Sequence, residues 1–331
     1  MNDRFKAMML KQVNGETVAE ISQLSVQELP EHQILVRVHY SSLNYKDALA
    51  ITGKGKIIKS FPMVPGIDLA GEIVDAGDSE FKVGNQVVST GWGVGEEHWG
   101  GLGQYARLDA DWPLLIPEAM DMRSTMIMGT AGLTAAFCTL AIQDHGIRPE
   151  DGPVLVTGAG GGVGGVSIML LAKLGYEVHA VSGRESLHQY LQQLGAASVV
   201  HRKEFARDNK PLEKANWSAA VDTAGGDTLA TLLAQLRPEG IVAACGNAGG
   251  IQLNTTVFPF ILRGVTLHGI SSVYAPMDSR KRAWKLIADN ISADYYDLLT
   301  DREISLDEVR ETCEDLLDGK IQGRVIVNML R

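Results

Sequence analysis

Residues 154–184 read VLVTGAGGGVGGVSIMLLAKLGYEVHAVSGR. The apolar run Val154-Leu155-Val156 leads into glycines at 158, 160, 161, 162, 164 and 165, then a helical stretch, then a second apolar run at residues 178–181. Strand, glycine turn, helix and strand in that order make a βαβ unit. Its glycines let the backbone approach an anion at the helix N-terminus, where unpaired N–H groups and the helix dipole favour negative charge. The spacing G-x-G-x-x-G falls on Gly160, Gly162 and Gly165, with Val163 inside it, whereas A-x-G-x-x-G puts Ala159, Gly161 and Gly164 in the same three roles. Both registers stay open at this level. Glycines alone would also suit a plain strand-to-helix connection, but the flanking strand and helix make the stretch a dinucleotide site.

The end of the second strand selects the dinucleotide. About 20 residues past the first glycine, an NAD-selective site carries an Asp or Glu for the ribose 2′-hydroxyl. Here stands Ser182-Gly183-Arg184, a hydroxyl, a bare backbone and a guanidinium, which suit the 2′-phosphate of NADP(H). The competing reading makes Glu185 the ribose ligand. Glu185-Ser186-Leu187 reads instead as the first turn of the next helix, where acids are favoured.

The chain has 331 residues, a prior of about two domains. It is 45% hydrophobic and 21% charged, ordinary for a globular enzyme. A net charge of −10 argues against nucleic acid or an anionic membrane as partner, although a local basic patch could still receive a phosphate. Cys138, Cys245 and Cys313 lie far apart without C-x-x-C spacing, which fits a reducing compartment and no disulfide framework. The opening residues, MNDRFK, form no apolar signal segment, and no uninterrupted apolar run approaches the ~20 residues of a membrane helix, so a cytoplasmic location is expected.

The first ~120 residues hold short strand-like runs between Gly and Pro, such as 34–38, 71–74 and 86–89, an all-β texture. From about Met126, helical patterns at 187–194 and 228–236 alternate with strands at 178–181, 198–201, 219–222, 241–244 and 266–270. That alternation belongs to a doubly wound parallel sheet, with Gly195 placed as a helix C-cap. Helices near 280–289 and 306–317 and a strand at 324–327 follow. The expected division is a β-rich part at 1–125, a nucleotide-binding domain at 126–270 and a C-terminal return at 271–331.

Several segments together resemble the medium-chain dehydrogenase/reductase superfamily. They are residues 41–58 (SSLNYKDALAITGKGKII), 65–68 (PGID), 90–96 (TGWGVGE), 129–132 (GTAG), 182–186 (SGRES) and 321–324 (IQGR). They span nearly the whole chain, and within the superfamily they are most similar to the zinc-free, NADPH-dependent acrylyl-CoA reductase branch. The resemblance implies a GroES-like β-rich catalytic domain beside a Rossmann domain, in a homodimer or homotetramer. In zinc members of the superfamily a cysteine stands near Asn44-Tyr45 and a Gly-His-Glu at Gly66-Ile67-Asp68. This chain has neither, and three cysteines cannot supply a four-cysteine structural zinc lobe. His98, beside Glu96 and Glu97, is a weak metal candidate that also reads as a hydrogen-bonding loop residue.

Without zinc to polarise a carbonyl or alcohol, the expected chemistry is reduction of a conjugated C=C bond, by hydride to the β-carbon and a proton to the α-carbon. Tyr45 is the candidate acid, or orders a water that is the acid, with Asn44 and Asp47 orienting the site. A phenol ordinarily keeps its proton at neutral pH, as a donor must. Tyr45 packing on the nicotinamide or its ribose stays equally open. Lys54, Lys56 and Lys59 gather positive charge that could meet the phosphates of an acyl-CoA, or form a solvated loop.

By resemblance, Arg202 is a second group for the 2′-phosphate, and Asn247, Ile261, Ser272 and Asn328 are cofactor contacts. Thr130 and Trp92 would line the substrate cleft. Each has an ordinary alternative: a surface charge, a turn former, a core residue, a cap. Three functions stay in play: short enoyl-CoA reduction, favouring acryloyl-CoA to propanoyl-CoA; quinone reduction; and NADPH binding without turnover.

Overall fold

The computed structural model describes residues 4–331; the N-terminal reading rests partly on residues 1–3, which lie outside that range. The chain divides into two compact units. One runs to Thr130 and takes up Thr300–Arg331; the other is Ala131–Leu299. The boundaries thus fall at 130/131 and 299/300 rather than 125/126 and 270/271. The helices Met277–Asn290 and Ala293–Leu299 belong with the second unit.

The second unit holds six strands, all parallel where they pair: Val154–Val156, Val178–Ser182, Ser198–His201, Trp217–Asp222, Leu236–Ala244 and Thr266–Gly269. Numbered along the chain, their order across the sheet is 3-2-1-4-5-6, that of a doubly wound dinucleotide fold. Every residue of Val154–Val156 and Trp217–Asp222 is buried, as expected for strands covered on both faces. The helix expected at 228–236 is Gly226–Gln235, and the chain enters the next strand at once at Leu236, five residues before the expected start. Gly195 follows the helix His188–Gln193 and its C-cap Leu194, with φ 110°.

In the first unit, a seven-stranded sheet places Thr300–Ile304, Arg324–Asn328, Ile34–Leu43, Asp68–Asp75, Gln86–Thr90 and Leu114–Leu115 side by side, and Tyr105–Leu108 also pairs with Ile34–Leu43. The hairpin Arg4–Val13/Glu16–Ser25 precedes it, turning at Asn14-Gly15 with φ 52° and 86°. Two positive φ values match a two-residue hairpin turn, which Asn-Gly favours.

One helix, Met122–Asp144, is long and apolar enough to cross a bilayer by length and mean composition, although Ser124, Thr125, Thr130, Thr134 and Thr139 interrupt its apolar run. The described structure buries 83% of its most apolar window. It also breaks the helix at Gly129 (φ 50°, ψ −153°), so the segment serves as a core helix.

Candidate active site

The helix Tyr45–Thr52 starts at Asn44 and packs on the helix Val309–Leu317. Its N-terminus is held by a buried polar cluster. The Asp47 carboxylate, 1% exposed, accepts from the Asn44 backbone N–H at 2.9 Å, the Asn44 amide at 3.1 Å and the Ile67 N–H at 3.0 Å. The Asp68 carboxylate, fully buried, accepts from Ser42 Oγ (2.6 Å), Asn44 Nδ2 (2.8 Å), Thr130 Oγ1 (2.6 Å) and the Thr130 N–H (3.0 Å). Arg324 closes the cluster. Its guanidinium donates to Ser42 Oγ, Asn44 Oδ1 and the Ile127 carbonyl, with Nη2 3.9 Å from Asp68 Oδ2. Burial draws Arg324 below its ordinary range, and the charges of Asp68 and Asp47 oppose that.

Gly129 admits this arrangement. A Cβ there would stand 2.5 Å from Asp68 Oδ2 and 2.8 Å from Ser42 Oγ, and the positive φ would be strained for any other residue. Asn44 and Asp47 thus secure the N-terminus of the helix. Tyr45, by contrast, is 51% exposed at the first turn of the helix they secure. Lys46 extends the framework, donating to Glu96 at 2.8 Å, which ties the helix to the glycine-rich 91–99 loop. Trp92 in that loop packs partly buried against the core of the first unit.

Burial, then the Asp68 charge, push the Asp47 carboxyl up to about 7 against the pull of its N–H donors. The folded state thus holds this proton more tightly than the unfolded chain. The stability it contributes is complete below about pH 4 and is lost as pH rises through 7. Relative to Asp47→Asn, the wild type should lose about 2–3 kcal/mol between pH 5 and pH 8. Urea unfolding at the two pH values reads this, and parallel pH profiles for the two proteins would contradict it.

In the second unit, Gly161 is the N-cap of the helix Gly162–Lys173. A Cβ at Gly164 would run into the Gly158 carbonyl, whereas one at Gly165 would meet its nearest neighbour at an ordinary 3.4 Å. The close-packing role therefore falls on Gly164, and the register is Ala159, Gly161, Gly164. The turn is braced by Asp222, whose carboxylate accepts from Thr157 Oγ1 at 2.6 Å and the Gly225 N–H at 2.8 Å.

Ser182 Oγ accepts from the Arg184 N–H at 3.1 Å. A Cβ at Gly160 would lie 2.9 Å from Arg184 Nη2, which places that guanidinium over the glycine turn, and the Arg202 side chain lies against Gly183. Two guanidinium-bearing residues thus flank the ends of the first two strands. Glu185 sits in the first turn of the short helix Glu185–Leu187, in the helical role read from sequence. A charge-assisted hydrogen bond contributes about 1.5–3 kcal/mol, so Arg184→Ala should raise KM for NADPH about 10- to 100-fold and leave KM for NADH nearly unchanged. Equal effects on the two cofactors would remove Arg184 from 2′-phosphate recognition.

Residues 30–118 match the family described as Alcohol dehydrogenase GroES-like domain and 162–289 the one described as Zinc-binding dehydrogenase. The chain is 51% identical over 324 residues to the probable acrylyl-CoA reductase AcuI of Escherichia coli (strain K12), covering 98% of this chain and 99% of that protein. It is 46% identical to the acrylyl-CoA reductase AcuI of Ruegeria pomeroyi, covering 96% of each. The chain belongs to the medium-chain dehydrogenase/reductase superfamily. The crystal structure of E. coli K-12 YhdH with bound NADPH superposes with a TM-score of 0.95 at 51% identity, covering 98% of this chain and 99% of that one.

One family name within the superfamily implies zinc, but this chain's donors do not fit it. The cluster around Asp68 is made of N–H and O–H donors and a guanidinium, with no thiolate or imidazole in it. His98 packs its ring against His32 and Trp112 at 5.3 and 4.6 Å. Among the described residues no group of three or more His, Cys, Asp or Glu could hold a metal.

The remaining expected site residues fall unevenly. Asn247 is exposed in the turn after Leu236–Ala244, and Ser272 offers its carbonyl to Arg280 at 2.8 Å. Ile261 is 68% exposed on the short helix Phe258–Arg263. The Asn328 amide donates to Glu303 at 2.8 Å and accepts from the Leu330 N–H, so both its polar atoms serve the C-terminal strand. Thr130 spends its hydroxyl on Asp68. Lys54 donates to Glu314 at 2.6 Å, while Lys56 is exposed. Asp68 and Arg324 organise the cluster yet were not read as site residues. The available signal was a pair of opposite charges opening two core strands, Asp68–Asp75 and Arg324–Asn328.

Proposed function

We propose that this oxidoreductase uses NADPH to reduce the C=C bond of a short enoyl-CoA, with acryloyl-CoA the favoured substrate and propanoyl-CoA the product. The observation that carries this reading is the 51% identity, over nearly the full length of both chains, to a probable acrylyl-CoA reductase. In the second unit, the N–H groups opening Gly162–Lys173 would take the pyrophosphate. Ser182, Arg184 and Arg202 would take the 2′-phosphate. When bound, the reduced nicotinamide supplies a hydride to the β-carbon of the thioester.

The chain's own residues must then manage the charge left on the substrate. An enolate needs a proton at the α-carbon and a donor to its oxygen. Tyr45 carries the exposed hydroxyl for that proton, and the Asn44–Asp47–Asp68–Arg324 cluster keeps it in place. Lys54 and Lys56 would meet the coenzyme A phosphates. The Lys54–Glu314 pair is solvent-exposed and weakly held, so Lys54 can exchange partners. Expectations of a cytoplasmic location and a homodimer or homotetramer accompany this reading.

The test is NADPH consumption by purified protein with acryloyl-CoA, with a quinone, or with neither. Turnover with acryloyl-CoA is expected, and turnover with quinone alone, or none at all, overturns the proposal. In the same assay Lys54→Ala/Lys56→Ala should raise KM for acryloyl-CoA about 2- to 10-fold, less at high salt, with KM for NADPH unchanged. An unchanged KM for acryloyl-CoA removes the lysines from substrate binding.

A further inference from the structure

The strand order of the parallel sheet reverses between Val154–Val156 and Trp217–Asp222, which pair side by side. Ligands of such sheets sit beyond the carboxyl ends of the strands at that point. There the two strands end on side chains that bond each other. Thr157 and Asp222 are both fully buried, and Thr157 Oγ1 donates to Asp222 Oδ1 at 2.6 Å while accepting from the Thr223 N–H at 2.9 Å. Thr223 Oγ1 donates in return to the Thr157 carbonyl at 3.0 Å, and the Gly225 N–H donates to Asp222 Oδ2 at 2.8 Å. A third loop joins them. After the strand Leu236–Ala244, the Cys245 N–H donates to the Asp222 carbonyl at 2.9 Å and the Gly249 N–H to the Ala224 carbonyl at 2.7 Å.

We propose that Thr157 and Asp222 are positioning residues for the dinucleotide, a clamp that locks the loops 157–161, 222–226 and 245–250 into one unit. The clamp holds the N–H groups of the glycine turn toward the pyrophosphate and fixes the 245–250 turn, which carries Asn247, beside it. The loops meet backbone to backbone. A Cβ at Gly158 would run into Thr223 Oγ1, and one at Gly246 would run into the Thr223 carbonyl oxygen. Gly158, the first glycine of the turn, is therefore required by the neighbouring loop as well as by any ligand.

Neither side chain needs to touch the cofactor. Thr157 gives its hydroxyl proton to Asp222 and accepts from Thr223, and the carboxylate also takes the Ala224 N–H at 3.3 Å. Ser182, Arg184 and Arg202 lie at or beyond the ends of the strands Val178–Ser182 and Ser198–His201, on the other side of Val154–Val156 from Asp222. A loosened clamp should thus weaken every dinucleotide equally, with or without a 2′-phosphate, where loss of Arg184 weakens only NADPH. The effect on affinity rests on the NADPH reading above; the locking of the three loops does not.

The experiment titrates the intact Thr157→Val and Thr157→Ser proteins with NADPH and with NADH by fluorescence, and follows amide hydrogen exchange in the same proteins without cofactor. Thr157→Val should raise both dissociation constants by the same factor of about ten, the loss of roughly one hydrogen bond to the cofactor. Thr157→Ser keeps the hydroxyl and should stay within about twofold of wild type. Exchange in Thr157→Val should quicken over residues 157–165 and 245–250 and keep the wild-type rate in the strand Ser198–His201, whereas a generally loosened domain would exchange faster throughout. Asp222→Asn, left with one amide oxygen for the two donors Thr157 and Gly225, is the second variant and should show the same pattern. Wild-type affinities in Thr157→Val and Asp222→Asn overturn the proposal, as do a loss confined to NADPH, a Thr157→Ser protein as weak as Thr157→Val, and uniformly faster exchange. Wild-type protein that binds neither dinucleotide would sink the cofactor reading instead, and the exchange pattern would still decide the clamp.

Discussion

Tyr45→Phe should lower kcat for the enoyl-CoA about 100-fold or more, because positioned general acids typically contribute 10²–10⁴-fold. KM for NADPH should stay within about twofold if the ring alone touches the cofactor. The substitution isolates chemistry from folding. Tyr45 is 51% exposed, and its hydroxyl takes no part in the hydrogen bonds of the cluster that secures the helix, so an exposed Tyr-to-Phe change should move stability by no more than about 0.5 kcal/mol. The loss has an upper bound for the same reason: a half-exposed position admits water, which can protonate an enolate less efficiently. A variant with full kcat would show that the phenol is not the proton source, leaving Tyr45 the packing role read beside it from sequence. A variant with raised KM for NADPH and unchanged kcat would show instead that the hydroxyl itself contacts the cofactor.

The nucleotide-binding unit was legible because its signals are local. Val154-Leu155-Val156, the glycines after it and the alternating buried strands each declare themselves within a few residues, and the strand Ser198–His201 falls where it was read. The choice between two glycine registers needed tertiary contacts, since only the approach of Gly164 to Gly158 distinguishes it from Gly165. The hairpin at Asn14-Gly15 had a local signal that went unread. The strand Thr300–Ile304, TDREI, had none: only Ile304 is buried, and the strand exists through its pairing with Arg324–Asn328.

The framework around Asp68 was harder still. Ser42, Asp68, Thr130 and Arg324 come from four separate stretches, and nothing in sequence spacing brings them to one point. Asp47, expected to orient the site, is buried and accepts from the Asn44 and Ile67 backbone N–H groups.

Asp68→Ala should destabilise the protein by about 3–5 kcal/mol, the range for removing one partner of a buried ion pair. The variant would leave the Arg324 guanidinium, its side chain 4% exposed, without the anion 3.9 Å away. It would also strand the donors of Ser42, Asn44 and Thr130, three side chains that lie within 2.8 Å of that carboxylate. Unpartnered buried donors cost about 1–3 kcal/mol each before relaxation, so the pair and its hydrogen bonds act together. Replacing the whole pair separates the two contributions. Asp68→Ala/Arg324→Met removes the uncompensated charge and should be less destabilised than Asp68→Ala alone, although Ile127 and Asn44 then lose their guanidinium contacts. The urea midpoint at constant slope measures both variants. At a temperature where Asp68→Ala remains folded, kcat should still fall, because the N-terminus of the Tyr45 helix loses the Asn44 anchor while the nucleotide unit is untouched. An Asp68→Ala protein within 1 kcal/mol of wild type, with normal kcat, would mean that the cluster neither holds the fold nor places Tyr45.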